Sequence, residues 1–146
     1  MTDAIRWLRI SYWVGAIVDG AAAAQMLCPP LFRLGMGLPG FDPGVDYHYA
    51  MGMGASLMLG WTTLLIWADR KPMERKGVLP LTVLPVIAGL AVNQARGVLV
   101  GFLPALAVLP IWGLQVGLSA LFLGSFWRAR KAELAPNSLG TGVKGA

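Results

Sequence analysis

Four long apolar stretches, separated by short polar or Gly/Pro-rich segments, set the pattern along the chain. The pattern predicts spans at about residues 10–28, 47–68, 77–96 and 105–127. Each approaches the roughly 20 residues that an α-helix needs to cross the hydrocarbon core of a bilayer. We therefore expect an all-α membrane protein with four transmembrane helices in a compact bundle. This would form one domain over residues 1–128, followed by a tail over residues 129–146 that begins as a short helical extension.

The connection after the first stretch carries the signals of a helix end and a loop. Pro29 and Pro30 close the stretch, because proline cannot continue a helix. Residues 32–46 contain Gly or Pro every few positions, a composition typical of loops.

The later connections are shorter. The polar run at residues 69–76 separates the second and third stretches, and a turn near residues 97–104 precedes the fourth. Pro80 and Pro85 predict irregular backbone in the third stretch. Membrane helices tolerate such prolines because neighbouring groups satisfy the freed carbonyls.

Composition supports a membrane protein and argues against two other classes. Hydrophobic residues make up 56% of the 146 residues and charged residues 13%, whereas average soluble domains carry about 25% charged residues. The net charge of +5 does not indicate nucleic-acid binding, because no basic run is interleaved with stacking aromatics. The single cysteine, Cys28, excludes an internal disulfide.

The basic residues are distributed unequally between the two ends of the predicted bundle. Only Arg33 and Arg96 fall on one side. The other ten of the twelve are Arg6, Arg9, Arg70, Lys71, Arg75, Lys76, Arg128, Arg130, Lys131 and Lys144. The positive-inside rule then places both termini and the 69–76 loop in the cytoplasm. We expect a multi-pass protein of a bacterial-type inner (plasma) membrane.

Small residues recur at four-residue spacing in three of the predicted spans. Such ridges matter because lipid offers no hydrophobic drive for helix association, and small residues allow close backbone approach. The ridges are Ala16, Gly20 and Ala24; Gly52, Ser56 and Gly60; and Gly113 and Gly117. They favour a tightly packed bundle.

Asp19 lies near the centre of the first apolar stretch and is the main candidate for function. An ionisable residue at that depth is costly and marks a functional site by default. Burial disfavours its charged form unless a cation compensates. Asp19 is expected either to exchange a proton or cation, or to hold helices together through a hydrogen bond to Gln115 or to a backbone carbonyl.

Helix rise places the other polar residues relative to Asp19. Asp19 lies about 15 Å beyond Arg9, and Gln115 about 20 Å from Arg128, so the two could meet inside the bundle. His48 and Ser56 share a predicted packed stripe with Gly52 and Gly60. The candidate ligand-binding residues are Asp19, Gln115, Asn93, His48, Arg96 and Ser56.

Two of these candidates have simpler interpretations. His48 could titrate near neutrality or could be an interfacial ring between Tyr47 and Tyr49. Arg96 could bind an anion or could pair with an acid of the first loop. No catalytic residue can be named.

The sequence predicts no cofactor and no metal. P-loop, HExxH and CxxC motifs are absent from the chain. Thioether and thiol groups toward the outer side could bind Cu(I), but methionine is an ordinary gap-filling residue.

Three functions remain open from the sequence. The first is proton-coupled binding or transport of a small molecule or ion around Asp19. The second is a membrane-embedded enzyme, isomerase-like in its acid–base chemistry, on an apolar or lipid substrate. The third is an accessory or scaffold subunit of a larger membrane complex.

The fourth stretch has two faces that are unsuited to lipid, one with small residues and one with Gln115. We therefore expect a homo-oligomer. Gln115 lies about 160–200° around the helix from Gly113 and Gly117, so one face can serve the bundle core and the other a second protomer. Cross-linking and native mass measurements should show more than one copy. A monomer in both would contradict this expectation.

Overall fold

A computed structural model describes residues 2–134, and this part of the chain is helical throughout apart from turns. Helix α1 spans Thr2–Leu27, α2 Pro29–Met36, α3 Val45–Asp69, α4 Val78–Leu81, a π-helical segment Thr82–Ile87, α5 Ala88–Leu99 and α6 Ala105–Leu134. We call the continuous stretch Val78–Leu99 the third span.

Three of these helical stretches are long and apolar enough to cross a membrane: Val45–Asp69, Val78–Leu99 and Ala105–Leu134. Helix α1 satisfies the same criterion only together with α2, and the two are bent by 111° relative to one another. The described part of the chain is therefore all-helical, with three to four long apolar helices able to span a membrane. The expectation of apolar helical spans is confirmed at this level.

The structure corrects the loop predicted for residues 32–46. Helix α2 covers the first part of that segment, through Met36. Prolines suit the first turn of a helix, where their missing N–H would be unpaired in any case. The prolines that end α1 therefore also begin α2, with the extended Cys28 between them. Gly37 ends α2 at φ 64°, a left-handed conformation that glycine adopts without steric cost.

The backbone of the third span is irregular around Pro85, one of the two prolines that predict irregularity there. Pro85 lies inside the π-helical segment Thr82–Ile87. A proline inside a helix removes one backbone hydrogen bond and crowds the carbonyl four residues earlier. The wider π-helical turn accommodates this crowding while the helix continues.

Helix α6 extends beyond its predicted span, which ended at residue 127. It continues to Leu134, which confirms the short helical extension predicted at the start of the tail. The rest of that tail lies outside the described residues.

Helix α1 packs against both α3 and α6, and Gly15 marks its closest approach. A Cβ at Gly15 would lie 2.9 Å from Cζ of Phe122 and 3.1 Å from Cδ1 of Leu65. Around this point lie fully buried side chains from four helices, among them Leu8, Tyr12, Leu65, Leu79 and Phe122. Van der Waals packing of this kind holds helices together in lipid.

The three small-residue ridges differ in their surroundings. Ala16 on α1 is buried, and a Cβ at Gly20 would reach the Thr62 methyl group. On α6, by contrast, Gly113 and Gly117 are exposed.

The α3 stripe is also exposed at Ser56 and Gly60, so its predicted packing inside the bundle is wrong. Helix α3 instead meets the bundle through Ala55, Met58 and Leu65, which are buried. These buried residues lie on a different face of α3 from the predicted stripe.

The bundle has two chemically distinct ends. Salt bridges join Arg9 to Asp69 and Lys76 to Glu133 at 3.0 and 2.6 Å. The start of α1, the end of α3 with residues 70–77, and the end of α6 therefore meet at what we call the basic end. Rings from α2, the start of α3 and residues 100–104 meet at the aromatic end. Its rings are Phe32, Phe41, Tyr47 and Phe102, with centroid separations of 5.0 to 5.8 Å.

Gly15→Val should destabilise the bundle by about 1–3 kcal/mol, because added side-chain atoms in a packed core force neighbours to shift. The matched control is Gly60→Val, since a Cβ at Gly60 meets nothing within 4 Å. Thermal unfolding in detergent should separate the two variants. Equal melting temperatures would contradict the close approach at Gly15.

Candidate functional site

Asp19 is buried in the middle of α1, with 9% of its surface exposed. Its Oδ2 atom is enclosed by protein and has no hydrogen-bond partner among residues 2–134. A buried polar group without a partner costs about 1–3 kcal/mol in proteins, and more if it is charged. The prediction that this acid points into the bundle is confirmed by its burial, and its missing partner is the unusual feature of the site.

Contacts between α1 and α3 give the depth of Asp19. Gly15 approaches Leu65, and Gly20 approaches Thr62. Asp19 therefore lies level with Thr62. The Thr62 hydroxyl donates to the carbonyl oxygen of Met58 at 2.9 Å, so its proton is engaged within its own helix.

The register of α6 gives a second measure of depth. The Ser11 hydroxyl donates to Ser125 Oγ at 2.8 Å, and Gly15 approaches Phe122. Because the helices run antiparallel, one further turn along α1 brings Asp19 level with about Leu118. Leu118 lies one turn from Gln115, which agrees with the depth expected from the sequence.

Gln115 is buried but binds a residue other than Asp19. Its Nε2 donates to Oε1 of Gln94 on α5 at 3.2 Å, while its Oε1 has no partner in the described part of the chain. The Asp19–Gln115 hydrogen bond, one of the alternatives that the sequence left open, is therefore not formed. The two side chains share a depth range, and each presents an unpartnered oxygen.

The other four candidate residues lie on exposed surfaces: His48, Ser56, Asn93 and Arg96. His48 makes a ring contact with Tyr47 at 6.0 Å between centroids. The Ser56 hydroxyl donates to the carbonyl oxygen of Gly52 at 2.9 Å. The structure does not bring these four side chains together with Asp19.

Arg33, not Arg96, approaches an acid of the first loop. The Arg33 guanidinium lies 3.8 Å from Asp42, and the Arg33 Nε atom is buried without a hydrogen-bond partner in the described region. Asp42 is almost fully exposed, so this weak contact contributes little.

Sequence reasoning did not identify Trp112, and it grouped Gln94 with Asn93 and Arg96 without pairing it to Gln115. Gln94 binds Gln115, and Trp112 has a buried Nε1 atom that lacks a partner within residues 2–134. Trp112 precedes Gln115 by three residues on α6. Residues at that spacing lie on the same face of a helix, and this spacing was the signal that could have identified it.

Polar groups near the basic end are paired. Ser125 donates to the Trp7 carbonyl oxygen at 3.3 Å, besides accepting from Ser11. The Thr82 hydroxyl donates to the Val78 carbonyl oxygen at 2.9 Å and accepts from Trp61 Nε1 at 3.1 Å. These bonds hold helices together without leaving an unpartnered atom.

Residues 2–134 contain no group of three or more His, Cys, Asp or Glu side chains arranged to hold a metal ion. Met26, which carries one of the thioether groups on the predicted outer side, packs against α3. Its Sδ atom would lie 3.4 Å from a Cβ at Gly54, the packing role that methionine commonly has.

Comparisons with known protein families, with curated proteins and with solved structures found no match to the chain. The function is therefore inferred from the residues of the chain itself.

Asp19→Leu should stabilise the protein by about 1–3 kcal/mol, because it removes a buried oxygen that has no partner. The contrasting variant is Thr82→Val, which has similar shape and leaves Trp61 Nε1 unpaired. It should destabilise by a similar amount. Melting temperatures in detergent measure both effects, and a lower melting temperature for Asp19→Leu would show that the carboxyl group stabilises the fold.

Proposed function

We propose that this protein binds a proton or a small cation at Asp19 and couples that exchange to the transport of a small molecule or ion across a membrane. The observation that carries the proposal is the enclosed Oδ2 atom without a hydrogen-bond partner. An acid retained for packing would be expected to have a partner, because the alternative is an uncompensated desolvation cost.

The position of Gln115 argues against a purely structural acid. Gln115 is the buried amide nearest in depth that could have stabilised the carboxyl group, yet it donates to Gln94. Asp19 consequently keeps an oxygen available for a ligand. Intramembrane acids in this situation serve ion pathways and proton relays.

The chemistry follows from the two states of one carboxyl group. The neutral acid is favoured by the low-dielectric surroundings, whereas a bound cation favours the carboxylate. Proton and cation therefore compete for the same oxygens. Competition of this kind is the simplest basis for coupling the movement of one to the other.

Orientation is part of the proposal. The ten basic residues near the termini and in residues 70–76 support a cytoplasmic basic end, by the positive-inside rule. The aromatic end would then face the opposite side, where His48 and Arg96 could meet an incoming ligand before it reaches Asp19.

An acid–base enzyme that uses Asp19 and His48 together receives little support. Asp19 is level with Thr62 on α3, and His48 lies fourteen residues before Thr62 in the same helix. That spacing corresponds to about 21 Å along the helix axis, too far for both to act on one small group.

An accessory or oligomeric subunit is the second candidate, because the third span is poorly covered. Helix α5 has no buried residue, and the stripes at Gly113 and Gly117 and at Ser56 and Gly60 are exposed. These faces are suited to close contact with another helix. Tolerance of Asp19→Ala, together with co-purification of a larger complex, would favour this function over transport.

Asp19→Asn should abolish proton-dependent ion movement, because it preserves the shape of the side chain and removes its titration. Proteoliposomes with a trapped pH-sensitive dye can report proton movement driven by Na⁺ or K⁺ gradients, and flux should fall to the level of empty liposomes. Asp46→Asn is the control, since Asp46 is an exposed acid in the first turn of α3. Flux that survives in Asp19→Asn would reject coupling through this residue.

A further inference from the structure

The buried polar atoms without partners are confined to one half of the bundle. Among residues 2–134, five enclosed side-chain nitrogen or oxygen atoms lack a hydrogen-bond partner. They are Asp19 Oδ2, Gln115 Oε1, Trp112 Nε1, Tyr47 Oη and Arg33 Nε. All five lie at the depth of Asp19 or on its aromatic-end side.

Helix α6 gives their order along the bundle axis. Asp19 is level with about Leu118, and Gln115 and Trp112 follow toward the start of α6 at intervals of one turn. At the aromatic end, a Cβ at Gly37 would lie 3.4 Å from the Ala107 side chain. Ala107 precedes Trp112 by five residues, or about 7.5 Å. The unpartnered atoms thus extend from mid-bundle toward α2.

The other half is closed by apolar packing. Between Asp19 and the basic end, Phe122 and Leu65 converge on Gly15 so closely that an added Cβ would lie only 2.9 and 3.1 Å from them. Tyr12 is fully buried beside them, with its hydroxyl donating to the Pro72 carbonyl oxygen at 3.3 Å. The Ser11 and Ser125 pair lies below this layer.

We propose that water and small hydrated cations reach Asp19 from the aromatic end only, along a path lined by Gln115 and Trp112, and that the layer around Gly15 seals the basic side. This deepens the proposed function, because it specifies the route to the same site. Buried waters typically satisfy otherwise unpaired polar groups, with about three hydrogen bonds each. The Trp112 donor and the Gln115 and Asp19 acceptors provide such partners in sequence.

One-sided access has a consequence for transport. A proton or cation bound at Asp19 would exchange with the aromatic-end solution along this path. Release on the other side would require separation of Phe122 and Leu65 from Gly15. A resting protein with this arrangement does not leak ions across the membrane.

Single-cysteine variants of the full chain, in a Cys28→Ser background, can test the path with a small cationic methanethiosulfonate reagent. Thiol reactivity depends on access and thiolate character, so Gln115→Cys should react at least about tenfold faster than Val116→Cys or Ser125→Cys. Val116 is the control for depth, since it neighbours Gln115 but faces outward, with 71% of its surface exposed. Ser125 is the control for the sealed half.

A second pair of cysteine variants keeps the test valid if a variant of the first set fails to fold. Trp112→Cys should react rapidly, and Ala129→Cys, at a fully buried position near the basic end, should not. In sealed vesicles, the reagent should label Gln115→Cys when it is added on the side from which it labels Asp42→Cys. Reagent added on the side that labels Lys71→Cys should not reach residue 115. Equal rates at residues 115 and 125, or access from the Lys71 side, would overturn the one-sided path.

The outcomes for the path and for the proposed function are separable. Rapid labelling at residues 115 and 112 with unchanged ion flux in Asp19→Asn would keep the path and reject coupling through Asp19. If Asp19→Asn loses ion flux while Gln115→Cys does not react with the reagent, coupling through Asp19 is kept and the path is rejected.

Discussion

Hydrocarbon cannot form hydrogen bonds with protein, and this constraint determines the organisation of the molecule. Helices satisfy the backbone internally, which is why the apolar stretches are helical. Side chains must find their partners in the bundle or keep contact with water. Near the basic end, Ser11, Ser125 and Thr82 find partners across helix boundaries. The Oδ2 atom of Asp19 does not. At its depth the bundle therefore contains a buried polar atom that packing leaves unpaired.

The helical stretches could be predicted from the sequence because hydropathy and proline act locally. The third span illustrates this: its length follows from an uninterrupted apolar run, and its π-helical segment surrounds Pro85. The loop prediction for residues 32–46 fails at α2, because frequent Gly and Pro do not by themselves exclude a helix. The prolines occupy its first turn and a glycine follows its last residue, so the same residue types mark the boundaries of a helix.

The neighbours of each helix face were harder to predict, because periodicity identifies a face but not what it meets. The stripe containing Ser56 and Gly60 is as regular as the ridge through Ala16 and Gly20, yet only the latter packs inside the bundle. The depths of Asp19 and Gln115 were predictable, since they depend only on helix rise. The bond from Gln115 to Gln94 depends on how the third span crosses α6, which a single sequence does not encode locally.

The contrast between the two halves also indicates where movement is easiest. The Gly15 layer joins α1, α3 and α6 through close contacts of large side chains, and separating them would expose tightly packed surfaces. Helix α5 has no buried residue and follows a π-helical segment in which the regular backbone ladder is interrupted. Regions with few buried contacts have low local stability. A shift of α5 would carry Gln94 with it, breaking the bond to Gln115 and leaving that buried amide, at the depth range of Asp19, without its partner. The third span is thus the element through which a conformational change could reach the carboxyl group without disrupting the packing of α1.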